Sequence, residues 1–419
     1  METRQSLRRN FLWNTAGSLI YFACQWLFTI LAVRLAGVYV SGLLMMALTV
    51  TNVFLSIASY GMYNYQVSDT AQKYAQSTYI HSRIITCSLA TFACICYIIL
   101  VLIVKKTPYG AEQILCIFLV LGYRLIESVT DVYNAIDQKH GRLDIVGKTY
   151  AARGALSLVL FAVTLRITTN LPITLVLMLL GNLAFFVLYT KPQAKQFYEK
   201  SKTEWRTIFA LLVECAPLAI YCFLNTSAAS IPKIMLELVL GNEALGIYGP
   251  VTAPVLLLQV GATYLFTPFI TIFSDKYAQR DKKGFARAIG SVLAIILVLL
   301  PIGLLISHFL GAWGLATFVS EGLVEYSYLL APMVFSAVLT ALVLFFSMVL
   351  TIMRCMRGLI FANVCGIVVA LLCSVKCIET WGMQGTTYAA ILALLAQTVC
   401  LVCVMFQQAK QYFSTENMS

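Results

Sequence analysis

Two adjacent apolar stretches of the chain contain five ionisable residues, which are Arg124, Glu127, Asp131, Lys148 and Arg153. The first three lie in one stretch and the last two in the next, after a short polar turn. An ionisable side chain at the centre of a bilayer costs roughly 2.5 to 3.5 kcal/mol on insertion scales. The five residues therefore require either internal ion pairing or contact with a polar path through a membrane.

Helical geometry predicts one set of ion pairs. The spacing of Arg124, Glu127 and Asp131, at i, i+3 and i+7, keeps these side chains within about 60° of one another on a helix. If the second stretch returns antiparallel, equal counting from the turn places Asp131 opposite Lys148 and Glu127 close to Arg153. A structural ladder of ion pairs across the helical hairpin is therefore one interpretation.

The second interpretation gives the arginines a binding role. Lys148 and Arg153 are five residues apart and diverge by about 140° around a helix, so they cannot both serve the same neighbour. Asp144 lies four residues before Lys148 and is a local partner for it. Arg153 is then the better candidate to face a central cavity, with Arg124 as its companion. A guanidinium group can bind phosphate through two parallel hydrogen bonds, which predicts an anionic ligand.

Three more ionisable residues lie at the ends of apolar stretches. Glu214 is either an interfacial carboxylate, paired with Arg206 or a neighbouring loop, or a proton- or sodium-coupling carboxylate. Arg34 and Lys233 end two matched stretches, where they are either solvated or guard an outward mouth. The same choice between ion coupling and pairing applies to the residues Glu127, Asp131 and Lys148.

The composition predicts the elements that must position these residues. Of 419 residues, 60% are hydrophobic and 11% are charged, against about 25% charged in an ordinary soluble domain. The chain is therefore an all-α integral membrane protein with an uncleaved first helix. Apolar runs of roughly 20 residues, each able to cross a bilayer, predict twelve spans: 11–33, 42–60, 83–104, 113–135, 143–165, 171–190, 207–230, 245–272, 284–310, 325–350, 358–378 and 382–406.

Basic residues are distributed unevenly between the two sides of these spans. With the N-terminus inside, cytoplasmic segments hold 21 Lys and Arg and outward loops hold 6. This asymmetry predicts that both termini are cytoplasmic. It also accounts for the net charge of +11 through contact with anionic membrane lipids, so no nucleic-acid partner is expected.

An internal repeat predicts two lobes of six helices. Laid over each other at an offset of about 204, the passages that begin at Leu35 and Leu240 match in two glycines five residues apart. Further on, the tetrapeptide Lys-Tyr-Ala-Gln occurs at 73–76 and again at 276–279. We expect an N-terminal lobe at 1–190, a basic cytoplasmic linker at 191–206, a C-terminal lobe at 207–406 and a cytoplasmic tail at 407–419. Two such lobes are a common transporter plan, with the substrate bound between them.

Residue patterns of catalysis are lacking. The three histidines stand alone near span ends, and no glycine-rich phosphate loop opens a helix. The 13 cysteines lie almost wholly in apolar segments, where Cys behaves as a small hydrophobe. We therefore expect no enzyme activity, no metal site and no cofactor.

Several passages resemble the Wzx-type polysaccharide flippases, which belong with the MATE drug antiporters to the MOP superfamily. The passages are LAGVYVSGLLMMAL, VLGNEALGIYGPV, DVYNAIDQKHGRLDIVGK and WGMQGTTYAAILALLAQ. The resemblance implies a V-shaped cavity between two lobes and a monomer in a bacterial inner membrane. It also implies outward movement of an undecaprenyl-pyrophosphate-linked oligosaccharide by alternating access, in contact with other glycan-assembly proteins. Similar sequences carry a basic residue where Tyr63 stands, so that phosphate contact is missing or made elsewhere.

Two alternatives remain. A MATE-like cation or drug antiporter would need an acidic cavity, whereas here Arg124 and Arg153 accompany the two carboxylates. A non-transporting protein of glycan assembly, such as a polymerase, would be expected to carry a large outward loop, and no loop is long enough to fold separately.

Overall fold

Helices account for nearly all of the chain in a computed structural model that describes residues 4–69, 72–104, 109–198, 203–266 and 269–414. No strand occurs in these ranges, which confirms the all-α class. Fourteen α-helices follow one another in these described ranges: α1 Arg4–Ser59, α2 Met62–Ser68, α3 Gln76–Val104, α4 Ala111–Lys139, α5 Leu143–Thr168, α6 Leu171–Phe185, α7 Lys191–Lys195, α8 Trp205–Leu240, α9 Asn242–Phe266, α10 Phe269–Ala278, α11 Lys282–Gly314, α12 Leu330–Ile352, α13 Met356–Trp381 and α14 Met383–Ser414.

The helices are long and apolar enough for a multi-pass membrane protein. Ten stretches of the described residues could each cross a bilayer, and one of them, Arg9–Ser68, is 60 residues long and therefore long enough to cross twice. It contains the first two predicted spans, which are joined without a loop through a non-helical residue, Gly37. Part of the eighth predicted span, at 267–268, lies outside the described residues.

Other span boundaries differ from the sequence prediction. The sixth span ends in a π-helical turn, Phe186–Thr190, and the tenth begins in a 3₁₀-helix, Glu321–Leu329. Helix α14 continues to Ser414, into the segment predicted as a cytoplasmic tail. Helix α7 occupies the first residues of the predicted linker, whose residues 199–202 lie outside the described ranges, as do 415–419 of the tail. Hydropathy marks where a helix is apolar and does not mark where its hydrogen bonding stops.

Two compact units make up the fold, Met1–Thr226 and Ser227–Ser419. Their boundary falls inside α8, and the lobe boundaries predicted from the repeat stay a prediction. In the first unit, buried apolar residues from α2, α3, α4 and α8 form one cluster around Met62, Tyr79 and Val132. In the second, α13 and α14 share a buried hydrogen bond of 2.9 Å from Gln397 Nε2 to Asn363 Oδ1.

A glycine contact fixes the crossing of α1 and α5. A Cβ atom added at Gly17 would lie 1.9 Å from the carbonyl oxygen of Gly147, and one added at Gly147 would lie 2.1 Å from that of Trp13. One turn further along α1 and two turns further along α5, a Cβ atom added at Gly154 would lie 3.1 Å from the Cα of Tyr21. Small residues allow two membrane helices to approach at backbone contact, so α1 covers this face of α5.

Backbone conformation follows the internal repeat at its first match. Gly37 and Gly241, which are aligned by the repeat, have φ angles of 84° and 87°, in the left-handed region that favours glycine. The second match is not preserved in this way. Lys73, Tyr74 and Ala75 precede α3 in a loop, whereas the matching residues from Lys276 to Ala278 form the last turn of α10.

Candidate functional site

Glu127 of α4 is held by two arginines in the middle of the first unit. Its Oε2 accepts a hydrogen bond of 2.9 Å from Arg124 Nη1, and its Oε1 lies 3.0 Å from Arg153 Nη2 of α5. The hydroxyl of Tyr21 on α1 donates to the same Oε1 at 2.5 Å and accepts from Arg153 Nη2 at 2.7 Å. The antiparallel hairpin predicted the pair of Glu127 and Arg153, and the contact confirms it.

Helix α1 encloses the network from a third side. Gln25, one turn after Tyr21, donates from Nε2 to the hydroxyls of Tyr21 at 2.9 Å and Tyr123 at 3.0 Å. The guanidinium carbon of Arg153 lies 4.9 Å from the ring centre of Tyr21, a cation–π distance. The side chain of Arg153 is only 2% exposed as a result. This burial contrasts with the expectation that Arg153 faces a cavity, because that expectation considered α4 and α5 without α1.

The network is not fully satisfied by protein groups. Three buried nitrogens have no hydrogen-bond partner among the described residues: Nε of Arg124, and Nε and Nη1 of Arg153. Two guanidinium groups and one carboxylate carry a net charge of +1 in this connected set. An unpartnered buried donor costs about 1 to 3 kcal/mol, so these three N–H groups favour an added acceptor such as water or an anion.

Asp131 lies one turn of α4 beyond Glu127 and has a different partner from the one predicted. The Tyr150 hydroxyl is 3.4 Å from its Oδ1, and the expected pair with Lys148 is not formed. Lys148 instead lies 3.5 Å from Asp144, the local partner, which also accepts two hydrogen bonds from Arg142. Lys148 is exposed, and its ammonium group lies 5.4 Å from the centre of the Trp13 ring.

Arg83 of α3 is another buried arginine, and it forms no ion pair with an acidic side chain among the described residues. One of its nitrogens donates to the carbonyl of Ala58 near the end of α1, and Thr86 donates to the same oxygen at 2.8 Å. Its Nε and Nη2 have no partner, although Asp131 is near enough to interact with it electrostatically. The third predicted span begins at Arg83, and the residues around it in the sequence do not indicate that its side chain is buried.

Glu214 of α8 belongs to an interfacial cluster. It forms an ion pair with Lys73 and accepts a hydrogen bond from the Tyr65 hydroxyl. The ion pair is of the kind expected for pairing with a neighbouring loop, and the ion-coupling role of Glu214 stays a prediction. In the same loop Asp69 accepts hydrogen bonds from the backbone N–H groups of Lys73 at 2.9 Å and Tyr74 at 3.2 Å. Burial acts to raise the pKa of Asp69, but these hydrogen bonds outweigh it and the pKa lies below its ordinary value.

Arg34 and Lys233, the two basic residues predicted at matched span ends, lie in different surroundings from each other. Arg34 is exposed on α1, three residues before the break at Gly37. Lys233 lies inside α8, seven residues before its last residue, Leu240, or about 10 Å along the helix axis. It is half-buried and has no hydrogen bond or ion pair among the described residues. The predicted span ended at residue 230 because Lys233 and Glu237 lower the hydropathy that follows.

Comparison with known proteins decides the fold. A transporter described as the inward-facing conformation of a multidrug resistance MATE family transporter of the MOP superfamily superposes with a TM-score of 0.68, covering 98% of this chain and 99% of that one at 12% identity. The Vibrio cholerae MATE transporter VcmN in its bent form gives a TM-score of 0.60, covering 99% and 98% at 13% identity. The chain has the fold of the MATE transporters.

The similarity of this chain to known proteins is weaker in sequence than in structure. No protein-family model matches the chain. The capsular polysaccharide biosynthesis protein CapF of Staphylococcus aureus is 23% identical over 310 residues, which cover 72% of this chain and 75% of that protein. A third solved structure with the MATE fold, a MOP superfamily transporter from Pyrococcus furiosus, is described as having a binding pocket of reverse polarity; it gives a TM-score of 0.53 at 12% identity, covering 98% and 95%.

Within the MATE fold, sequence reasoning missed the uncharged members of the network. Tyr21 and Gln25 are spaced i, i+4 in the first apolar span, which puts both polar groups on one face of α1. That pattern is a usable signal, because polar side chains in a membrane helix face other helices. In the described part of the chain, no three His, Cys, Asp or Glu side chains come together to hold a metal ion.

Proposed function

We propose that this protein is a flippase that moves undecaprenyl-pyrophosphate-linked oligosaccharide from the cytoplasmic to the outer leaflet of a bacterial inner membrane. It would work as a monomer by alternating access, without enzyme activity, with both termini in the cytoplasm. Its expected partners are the lipid-linked substrate, anionic membrane lipids and other glycan-assembly proteins. The MATE fold and the similarity to a capsular polysaccharide biosynthesis protein support the proposal.

The observation that carries the proposal is the sign of the intramembrane charge. The network around Glu127 has two arginines to one carboxylate, with three buried N–H groups that lack a protein acceptor. In the second unit, Lys233 has no partner among the described residues. Positive charge in a low-dielectric setting favours an anionic head group and disfavours a cationic drug.

Lys233 is the residue we assign to the pyrophosphate, in preference to Arg153. Arg153 is enclosed by α1 and already bound to Glu127, so its charge is committed inside the first unit. Lys233 is partly accessible on a helix that could cross a membrane, and it forms no ion pair with a carboxylate among the described residues. Partial burial of an ammonium group without a partner is costly, and a bound phosphate would offset that cost.

Reconstituted vesicles test this assignment. The purified protein should expose a fluorescent pyrophosphate-linked oligosaccharide to an impermeant quencher added outside, and Lys233→Gln should slow that exposure about 10-fold without lowering Tm. Lys376→Gln provides the matched control, because Lys376 is an exposed lysine on a membrane helix, α13. Equal rates in Lys233→Gln and the wild type would remove Lys233 from the substrate path.

The second candidate function is export of a cation or drug, which the fold similarity to a multidrug resistance transporter favours. The same vesicles distinguish the two functions. Uptake of a cationic dye driven by a proton or sodium gradient, with no movement of the lipid-linked glycan, would overturn the flippase proposal.

A further inference from the structure

The corner between α10 and α11, in the second unit, holds a basic cavity that the proposed function does not use. Its volume is about 400 Å³. Residues from both helices of the corner line this cavity. Phe269 and Lys276 come from α10, and Lys283, Arg287 and Ser291 come from one face of α11, at i, i+4 and i+8. Asp281, in the turn between the helices, completes the charged lining.

Most of the positive charge in this cavity is uncommitted. Lys276 lies 2.9 Å from Asp281, which also accepts a hydrogen bond of 2.8 Å from the Gly284 N–H. Those two contacts, with a smaller electrostatic contribution from Arg287, hold the pKa of Asp281 below its ordinary value, so its charge offsets one of the three cations in the lining. The side chains of Lys283 and Arg287 are exposed and form no hydrogen bond or ion pair among the described residues. The lining therefore carries a net charge of +2.

The position of the cavity matches the depth of lipid head groups. The apolar span of α11 begins at Lys282, so Lys283 and Arg287 lie within its first two turns. Ala288 and Phe269 add an apolar wall to the charged one. Basic pockets at the cytoplasmic ends of membrane helices are suited to phosphate head groups, and the proposed orientation places this corner on the cytoplasmic side.

We propose that the cavity between α10 and α11 binds the phosphate of an anionic phospholipid, with Lys283 and Arg287 as its cationic contacts and Phe269 against the lipid's apolar part. Lys276, which is paired with Asp281, is a further cation in the lining of this site. The site is separate from Lys233 and the Glu127 network, so it does not depend on which solute the protein moves.

Lipid titration of the full-length protein, followed by native mass spectrometry, tests the site with phosphatidylglycerol as the probe. We expect one saturable phosphatidylglycerol molecule per chain and no such molecule with phosphatidylcholine. The double substitution Lys283→Gln with Arg287→Gln should weaken binding about 30-fold, which corresponds to about 1 kcal/mol for each cation near an anionic surface. Both residues are exposed, so this variant should keep the wild-type Tm.

A matched control lies on α7 of the first unit. Lys191 and Lys195 are also exposed and spaced i, i+4, so Lys191→Gln with Lys195→Gln removes the same charge from a helix without the cavity. Lipid affinity in this control should stay within about 2-fold of the wild type. Equal weakening in both double variants would show general attraction to the surface and would overturn the site.

Asp281→Asn gives a test by gain of binding. Asparagine keeps the oxygen that accepts from the Gly284 N–H, so α11 keeps its N-cap, while the charge opposing the lipid phosphate disappears. Phosphatidylglycerol should bind about 5-fold more tightly, and unchanged or weaker binding would contradict the proposed geometry. Inorganic phosphate at the same concentration should not displace the lipid; displacement would mean that the cavity takes free anions.

Discussion

Two guanidinium groups bind the single carboxylate of Glu127, and this ratio determines what each side chain contributes to stability. Removal of one arginine leaves a neutral pair, whereas removal of the carboxylate leaves two cations that share a buried site. Uncompensated charge in a low-dielectric interior costs far more than a lost hydrogen bond. The three residues are therefore unequal, although all lie in the same network.

We predict that Glu127→Gln destabilises the protein more than Arg153→Gln does. The first change should cost about 3 to 5 kcal/mol, as for breaking a buried ion pair. The second should cost about 1.5 to 3 kcal/mol, as for a lost hydrogen bond to a charged group, because Arg124 still neutralises Glu127. Thermal unfolding in detergent, followed by tryptophan fluorescence, should give the larger decrease in Tm for Glu127→Gln.

Arg166→Gln is the control for that comparison. Arg166 is exposed near the end of α5, and its side chain forms no hydrogen bond or ion pair among the described residues. Its Tm should equal that of the wild type. If Arg153→Gln lowers Tm as much as Glu127→Gln, the stacking of Arg153 on Tyr21 outweighs charge balance.

At the scale of single residues, helical spacing predicted two contacts, Glu127 with Arg153 and Asp144 with Lys148, but not the partner of Asp131. The antiparallel hairpin brought Glu127 to Arg153 as expected. The pairing of Asp131 depended on the rotation of α5, which the contact with α1 sets and hydropathy does not report. The partners of Lys148 and Glu214 were local, at a turn and a neighbouring loop, where sequence distance is a better guide.

The crossing of α1 and α5 is the element-level feature on which the site depends. Gly17 and Gly147 allow contact between the two backbones, and that contact brings Tyr21 over Arg153. Helices that cannot approach this closely would leave a gap around the charged network. Packing of small residues is a main source of helix association in lipid, since lipid is as apolar as the side chains.

We predict that Gly147→Ala destabilises the first unit by about 2 kcal/mol or more, because the added Cβ would lie 2.1 Å from a backbone oxygen that cannot rotate away. Gly290→Ala in α11 is the matched control. Nothing lies within 4 Å of a Cβ at that position, and alanine favours a helix by up to about 1 kcal/mol. Thermal unfolding should therefore show a lower Tm for the first variant and an equal or higher Tm for the second. A stable Gly147→Ala protein would mean that the two helices can shift apart without loss.

Apolar length predicted the helices well, because a bilayer requires closed backbone hydrogen bonding over each span. It did not predict that a single non-helical residue, Gly37, joins the first two spans, nor the π-helical turn after Phe185 or the extension of α8 beyond Lys233. These depend on local hydrogen bonds and on neighbouring helices. The extension of α8 changes the function argument, because it places Lys233 in a helix that could cross a membrane and not in a loop.

At the scale of the whole molecule, orientation follows from charge. Lys and Arg concentrate on one side of the predicted spans, which predicts that this side is cytoplasmic.

Labelling of intact cells tests the orientation. We predict that an impermeant maleimide labels Gly110→Cys, at the start of α4, and does not label Gln196→Cys, at the end of α7. Both should be labelled after the cells are opened. The wild-type protein provides the background from its own cysteines. The reverse pattern would invert the topology and place the termini outside.

The left-handed residues that end the helices have a consequence for how this protein arose. Gly141 and Thr169 flank α5, and Arg354 and Gly382 flank α13; all four have φ between 50° and 73°, and the members of the two pairs, 141 with 354 and 169 with 382, are both 213 residues apart. Glycine stands at one member of each pair and a larger residue at the other. After a gene duplication, the two copies would have kept the same change of chain direction while the residues that make it diverged. The equal spacing of these left-handed residues is what the predicted duplication would leave behind, whereas the residue types at the matched turns differ.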